Sequence, residues 1–141
     1  MRILGIDPGY AIIGWGVLDY KGNKFSVVDY GAITTQAKTP FPLRLQMIYT
    51  DMIGLFDTYH PEVMSMEKLF YNNNAKTVID VAQARGVITL SAQQKNVPIF
   101  EYTPLQVKQS VVGYGRAEKK QVQEMTCLLY TSDAADEARS V

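Results

Sequence analysis

Two carboxylates in this sequence stand where short apolar segments end. Asp7 follows the apolar residues 3–6 and precedes Pro8 and Gly9, and Glu67 follows the largely apolar residues 63–66. Apolar runs this short predict buried strands. A carboxylate at the end of a buried strand is costly unless it is paired or metal-bound, and two side by side would repel each other and favour a divalent cation. Asp7 and Glu67 are therefore candidate metal ligands or general bases.

Each carboxylate also has an ordinary structural interpretation. Asp-Pro-Gly is common turn chemistry, because Pro fixes φ and Gly permits positive φ, so Asp7 could simply initiate a turn. Glu67 could equally be a surface residue at a strand terminus. The two residues alone leave both interpretations open, and the surrounding elements have to decide between them.

The elements that would position these carboxylates are strands and helices in a mixed order. After the first strand, residues 12–18 and 25–33 predict two more strands joined by short turns, the pattern of an antiparallel meander. A helix over 43–59, a strand at 62–67, a helix over 75–94 and a strand at 97–102 follow, and further helices are predicted at 104–112 and 117–126. The predicted fold class is α/β, a single domain with a mixed five-stranded sheet flanked by helices.

The helix predicted at 75–94 carries small and apolar residues at helical spacing. We expect these residues to lie along one stripe of the helix, with Gly86 allowing close packing. The stripe consists of Val78, Val81, Ala82, Arg85, Ile88, Thr89 and Ala92.

Composition favours a globular protein of the reducing cytoplasm. Hydrophobic residues make up 47% and charged residues 20% of the 141 residues, and Cys127 is the only cysteine, which excludes a disulfide framework or a Cys-based zinc site. No apolar run reaches the roughly 18 residues of a membrane span, and Asp7 interrupts any N-terminal signal segment. The formal net charge of zero argues against a strongly basic nucleic-acid binder.

A set of short motifs runs through residues 1 to about 126. They are Ile6-Asp-Pro-Gly9, Gly14-Trp-Gly16, Met66-Glu-Lys-Leu-Phe70, Ala82-Gln-Ala-Arg-Gly86, Phe100-Glu-Tyr102, Gln106-Val-Lys-Gln109, Val111-Val-Gly113 and Gln121-Val-Gln123. In these motifs the chain resembles the Holliday-junction resolvase RuvC family, of the ribonuclease-H-like superfamily. The resemblance implies a ribonuclease-H-like fold and a metal-dependent endonuclease that resolves four-way DNA junctions in recombination and repair.

The resemblance also implies roles for individual residues. Asp7 would bridge two Mg²⁺ ions, for which Mn²⁺ can substitute, and Glu67 would bind one of them. In such two-metal phosphodiester hydrolysis the ions lie about 3.5–4 Å apart, one activating a water and the other stabilising the leaving 3′ oxygen. Phe70 would stack on a base at the junction, and Lys108 and Lys119 would lie near the scissile phosphate. The implied partners are a second copy of the chain and the RuvA and RuvB branch-migration proteins.

The family completes its active site with two carboxylates in an Asp-Ala-Ala-Asp motif that opens its last helix. Asp133-Ala-Ala-Asp136 resembles this motif and makes Asp133 and Asp136 candidate catalytic residues. However, the family's Pro-containing linker is missing before it, and residues 137–141 offer no apolar face for docking. Residues 127–141 also resemble a translated sequencing adapter. We therefore expect an incomplete RuvC-type nuclease domain over residues 1–126 and a non-native tail over 127–141.

Two other functions stay open at this point. A strand, an Asp-x-Gly turn and a hairpin also begin the actin-like and sugar-kinase-like nucleotide-binding folds, although 141 residues leave no room for their second domain. The second alternative is a catalytically dead fragment that binds branched DNA with a steep salt dependence but never cuts it. That outcome would follow if Asp7 and Glu67 were the only carboxylates at the site.

Overall fold

This computed structural model describes residues 1–9, 11–22, 24–68 and 75–102. They form two helices and five strands. They follow one another as β1 (Arg2–Asp7), β2 (Ile12–Lys21), β3 (Lys24–Thr34), α1 (Phe41–Tyr59), β4 (Val63–Glu67), α2 (Ala75–Gln94) and β5 (Ile99–Tyr102). Their order and type match the prediction. The helices predicted at 104–112 and 117–126 lie outside the described residues. In the part of the chain that is described, neither helix is long and apolar enough to cross a membrane.

The five strands form one mixed sheet in the order β3-β2-β1-β4-β5. β2 pairs antiparallel with both β1 and β3, as expected for a meander. β4 lies parallel to β1 on its other side, and β5 lies parallel to β4. Parallel neighbours need a crossover connection, which α1 and α2 provide. The predicted mixed five-stranded sheet is confirmed, with β1 at its centre.

Helix α1 covers one face of the sheet. Its buried side chains are Arg44, Ile48, Met52, Leu55 and Phe56. Most of them repeat at intervals of three or four residues, and the apolar ones join the central strands in the main core. The helix ends at Tyr59, and the next residue, His60, adopts a left-handed conformation with φ of 50° and donates its N–H to the Phe56 carbonyl at 3.0 Å. Pro61 follows directly, which is the helix-ending signal visible in the sequence.

Helix α2 packs beside α1, but its buried stripe differs from the predicted one. The side chains buried along it are Val81, Ala84, Ile88, Ser91 and Ala92. Ala82 and Thr89, which belong to the predicted stripe, are exposed. The helix is rotated so that the small residues Ala84 and Ser91 face inward, because small side chains let helices approach closely in a dense core.

Trp15 on β2 packs closely against a glycine of the neighbouring strand. Its Cα partner is Gly31 of β3, and a Cβ placed on Gly31 would lie 2.8 Å from the Trp15 Cζ2 atom. The indole also contacts the Tyr59 ring of α1, with 5.7 Å between the ring centroids. Glycine at position 31 therefore allows the indole to lie close to the β3 backbone and to connect the meander with α1.

Candidate active site

Asp7 and Glu67 are brought together at one edge of the sheet. Asp7 is the last residue of β1, and Glu67 is the last residue of β4. The two strands are parallel neighbours in which Ile6 and Met66 are Cα partners. The residues that follow this pair therefore lie side by side at the carboxyl ends of adjacent strands, and both are half-buried. Only the topology of the sheet creates this pair, since 60 positions separate the two residues in the sequence.

The electrostatics of this pair are unfavourable without a counter-charge. Burial raises the pKa of the Glu67 carboxyl, and the negative charge of Asp7 raises it further. Arg85 of α2 acts in the opposite direction and lowers the same pKa. The net effect is a carboxyl that is harder to ionise than a free glutamate, as expected where two acidic groups share one poorly solvated site. A bound divalent cation would relieve this repulsion.

Tyr102 is a third residue at this edge, and its role was not predicted from the sequence. It ends β5 and is the Cα partner of Glu67. Its side chain is only 4% exposed. Burial, then the charges of Glu67 and Asp7, raise the pKa of its phenol, which keeps the hydroxyl protonated. The signal that could have found it is its position, because Tyr102 ends a short apolar strand as Asp7 and Glu67 do.

Two glycines of β2 lie beside Asp7 in the sheet. Gly14 is the antiparallel Cα partner of Asp7, and Gly16 is the partner of Gly5. Directly paired residues of antiparallel strands project from the same face, so the strand next to Asp7 has no side chain at these two positions. Close approach of another backbone or ligand is the usual reason for glycine within a strand.

The described residues fit a divalent cation, although they supply only part of a ligand set. Carboxylate oxygens are the ligands preferred by Mg²⁺, and Asp7 and Glu67 supply two carboxylates whose mutual repulsion a cation would offset. Within residues 1–9, 11–22, 24–68 and 75–102, no group of three or more His, Cys, Asp or Glu side chains could hold a metal ion. The other predicted site residues lie outside these segments, namely Phe70, Lys108, Lys119, Asp133 and Asp136.

Comparison with known proteins gives one consistent family. The sequence profile of the family described as crossover junction endodeoxyribonuclease RuvC matches residues 3–138. The chain is 59% identical over 129 residues to the protein of that name from Brevibacillus brevis, covering 92% of this chain and 78% of the relative. It is 53% identical over 133 residues to the one from Caldanaerobacter subterraneus, covering 94% and 81%.

Solved structures give the same result at the level of the fold. Thermus thermophilus RuvC in complex with a Holliday junction substrate superimposes with a TM-score of 0.73 at 27% identity, over 78% of this chain and 70% of that chain. Thermus thermophilus RuvC in a second structure gives a TM-score of 0.74 over 84% and 75% of the two chains. The predicted ribonuclease-H-like fold is thereby confirmed. The family profile extends past Thr126, the predicted end of the nuclease domain, and that boundary stays a prediction because it lies outside the described residues.

Proposed function

The chain belongs to the crossover junction endodeoxyribonuclease RuvC family, and on this premise we propose that it resolves four-way (Holliday) DNA junctions by metal-dependent phosphodiester hydrolysis. The observation that carries the proposal is the pairing of Asp7 and Glu67 at the ends of two adjacent parallel strands. Two half-buried carboxylates side by side are costly in the folded state, and a bound divalent cation offsets their charge.

In this proposal Asp7 and Glu67 hold the cation, which we take to be Mg²⁺, with two ions per site and Mn²⁺ as a substitute. A bound ion supplies Lewis-acid stabilisation of the phosphoryl oxygens and lowers the pKa of a bound water. Tyr102 contributes a neutral, buried side chain that limits access of water from the β5 side. Gly14 and Gly16 of β2 place no side chain beside Asp7, which would allow a sugar-phosphate backbone to approach closely there.

Contacts to DNA are assigned from the family resemblance. Phe70 is proposed to stack on a base at the junction, and stacking on an aromatic ring tolerates any base. Lys108 and Lys119 are proposed to contact the backbone around the scissile phosphate. Contacts of this kind release counterions, so junction binding should weaken steeply as salt concentration rises.

The nuclease proposal is tested by Asp7→Asn on a labelled four-way junction with Mg²⁺. We expect cleavage to fall below detection while junction binding is retained, because the substitution removes a metal ligand and leaves the DNA-contacting residues in place. Asp51→Asn is the matched control, since Asp51 is an exposed carboxylate of α1. Unchanged cutting by Asp7→Asn would refute the assignment. A wild-type chain that binds junctions but never cuts them would instead be a junction-binding module.

Asp133 and Asp136 are not included in the proposed ligand set. If residues 127–141 are a non-native tail, the double substitution Asp133→Asn and Asp136→Asn leaves the rate of junction cleavage unchanged. Loss of cleavage in that variant, with junction binding intact, would assign both carboxylates to the site. The comparison with Asp7→Asn separates the two outcomes on the same substrate.

We further propose that the active form is a homodimer, because symmetric cutting of a four-way junction needs two sites. Helix α2 supports this with an exposed apolar surface, where Ile79 is 58% and Leu90 is 51% exposed. Gly86 lies between them, seven residues after Ile79 and four before Leu90, and a Cβ added there would meet nothing within 4 Å. A second copy packed on this face would bury these side chains.

Sedimentation equilibrium tests the dimer proposal. Ile79→Glu should shift the protein towards the monomer, because it places a charge in the proposed interface. Leu43→Glu is the control, since Leu43 of α1 is also an exposed apolar residue, at 46%. Equal behaviour of the two variants would place the interface elsewhere.

Partnership with RuvA and RuvB is also proposed from the resemblance, and a pull-down on junction DNA tests it. A cytoplasmic location is proposed on the same ground, and cell fractionation tests it.

A further inference from the structure

Arg85 of α2 reaches the ends of two strands at the candidate active site. Its Nη1 atom donates a hydrogen bond to the backbone carbonyl of Glu67 at 2.7 Å. Its Nη2 atom donates to the Glu101 carboxylate of β5 at 3.2 Å, forming an ion pair. The Arg85 side chain is only 11% exposed. One guanidinium therefore connects a helix with the ends of β4 and β5.

The hydrogen bond to Glu67 satisfies a backbone group at a place where the strand stops. A partly buried carbonyl at a strand end benefits from a partner elsewhere in the fold, because an unpaired polar group removed from water costs free energy comparable to a lost hydrogen bond. The next residue is held from β5, since the Lys68 N–H donates to the Tyr102 carbonyl at 2.7 Å. Backbone contacts on both sides of the peptide bond between Glu67 and Lys68 therefore fix the end of β4.

Neither of these hydrogen bonds involves the Glu67 carboxylate. The Arg85 guanidinium donates to the Glu67 backbone carbonyl and to the Glu101 carboxylate, and its charge acts on the Glu67 carboxyl at longer range by lowering its pKa. A guanidinium presents its donors in a rigid planar fork, so it can define the relative position of two acceptors. A lysine in its place would keep the charge but lose the fork.

We propose that Arg85 is a positioning residue that holds the end of β4 so that the Glu67 carboxylate faces Asp7 in the geometry that binds the catalytic cation. This inference rests on the proposed function of the same site. Groups that orient metal ligands from behind commonly change metal affinity or activity by about 10- to 100-fold when they are removed. Arg85 would act in this way through the backbone of the ligand residue.

The chain contains a matched control for this role. Arg2 also joins a carboxylate to a backbone carbonyl, donating to Asp19 Oδ1 at 2.8 Å and to the Tyr59 carbonyl at 2.9 Å. It lies at the start of β1, at the opposite end of that strand from Asp7. Arg2→Gln should therefore remove comparable contacts without disturbing the acidic pair.

The experiment compares wild type, Arg85→Gln, Arg85→Lys and Arg2→Gln by two measurements on the full chain. The first is amide hydrogen exchange at Lys68 without metal, and the second is a titration with Mn²⁺ alone followed by electron paramagnetic resonance. We expect both Arg85 variants to exchange faster at Lys68 and to bind Mn²⁺ about tenfold more weakly or worse. Arg2→Gln should match wild type in both measurements.

Each other outcome overturns a defined part of the inference. If the Arg85 variants match Arg2→Gln in both the exchange rate at Lys68 and the affinity for Mn²⁺, a positioning role for Arg85 is refuted. Full recovery of both properties in Arg85→Lys would show that charge alone matters and would refute the role of the fork. If wild type fails to bind Mn²⁺ or to cut junctions, the proposed function fails, while the exchange rates at Lys68 still decide whether Arg85 positions the end of β4.

Discussion

Replacing Glu67 by glutamine should stabilise the protein in the absence of metal while abolishing metal-dependent stabilisation. The wild-type carboxylate is unfavourable in the folded state, because burial and the charge of Asp7 raise the pKa of Glu67. Glutamine keeps the shape of the side chain and removes the charge. The substitution should therefore relieve repulsion that exists only when no cation is bound.

The size of the effect follows from the position of the two carboxylates on adjacent strands. Neighbouring strands lie about 4.8 Å apart. Two unit charges at roughly 5 Å repel each other by about 1 kcal/mol in water and about 3 kcal/mol at an effective dielectric constant of 20. Both side chains are only half-buried, so solvent screening favours the lower figure. We expect a gain of about 1 kcal/mol in the free energy of unfolding, or roughly 3–5 °C in Tm for a chain of this length.

The pH dependence has a defined sign. A carboxyl whose pKa is higher in the folded than in the unfolded state lowers stability as pH rises through the interval between the two pKa values. The gain from Glu67→Gln should therefore be larger at pH 7 than at pH 4, because at the lower pH the wild-type carboxyl is largely protonated in both the folded and the unfolded state. Saturating Mg²⁺ should stabilise wild type by RT ln(1 + [L]/Kd) and the variant much less.

Thermal unfolding at pH 7 and pH 4, with and without Mg²⁺, measures all of these effects. Glu62→Gln is the matched control, because Glu62 is an exposed carboxylate just before β4. A metal-free Glu67→Gln protein that is less stable than wild type at pH 7 would refute the reasoning, since the carboxylate would then be stabilised by a partner within the protein. A gain that persists unchanged at pH 4 would show that it does not arise from charge.

Two further predictions concern the packing around the site and the sheet. Gly31→Ala should destabilise the protein by about 1–3 kcal/mol, because its Cβ would lie 2.8 Å from Trp15 Cζ2. Gly54→Ala, in an open position on α1, should instead stabilise it by up to about 1 kcal/mol, and urea unfolding of both variants checks the contrast. Tyr102 should remain protonated until alkaline unfolding, because burial and the nearby carboxylates raise its phenol pKa. The phenolate absorbance of wild type minus that of Tyr102→Phe measures this directly, and a step before unfolding would contradict the assigned environment.

The helices and strands could be predicted because their signals are local. Helix α2 has the predicted bounds, and α1 ends at the predicted residue, since Pro61 after His60 blocks its continuation. The rotation of α2 was not predicted correctly. Ala82 and Ala84 have the same side chain, and only the packing against α1 and the sheet decides which of them is buried.

The candidate site was predictable only in part. The sequence by itself determined that Asp7 and Glu67 end short apolar strands, because strand length, alternation and the turn after Asp7 depend on neighbouring residues. The tertiary structure decided that these two strands are parallel neighbours, which is what turns two separate carboxylates into a pair. It also brought Arg85 to the Glu67 carbonyl and Tyr102 beside Glu67. Contacts of this kind join residues far apart in the chain, so they exist only once the sheet has formed and the crossover helices have packed on it.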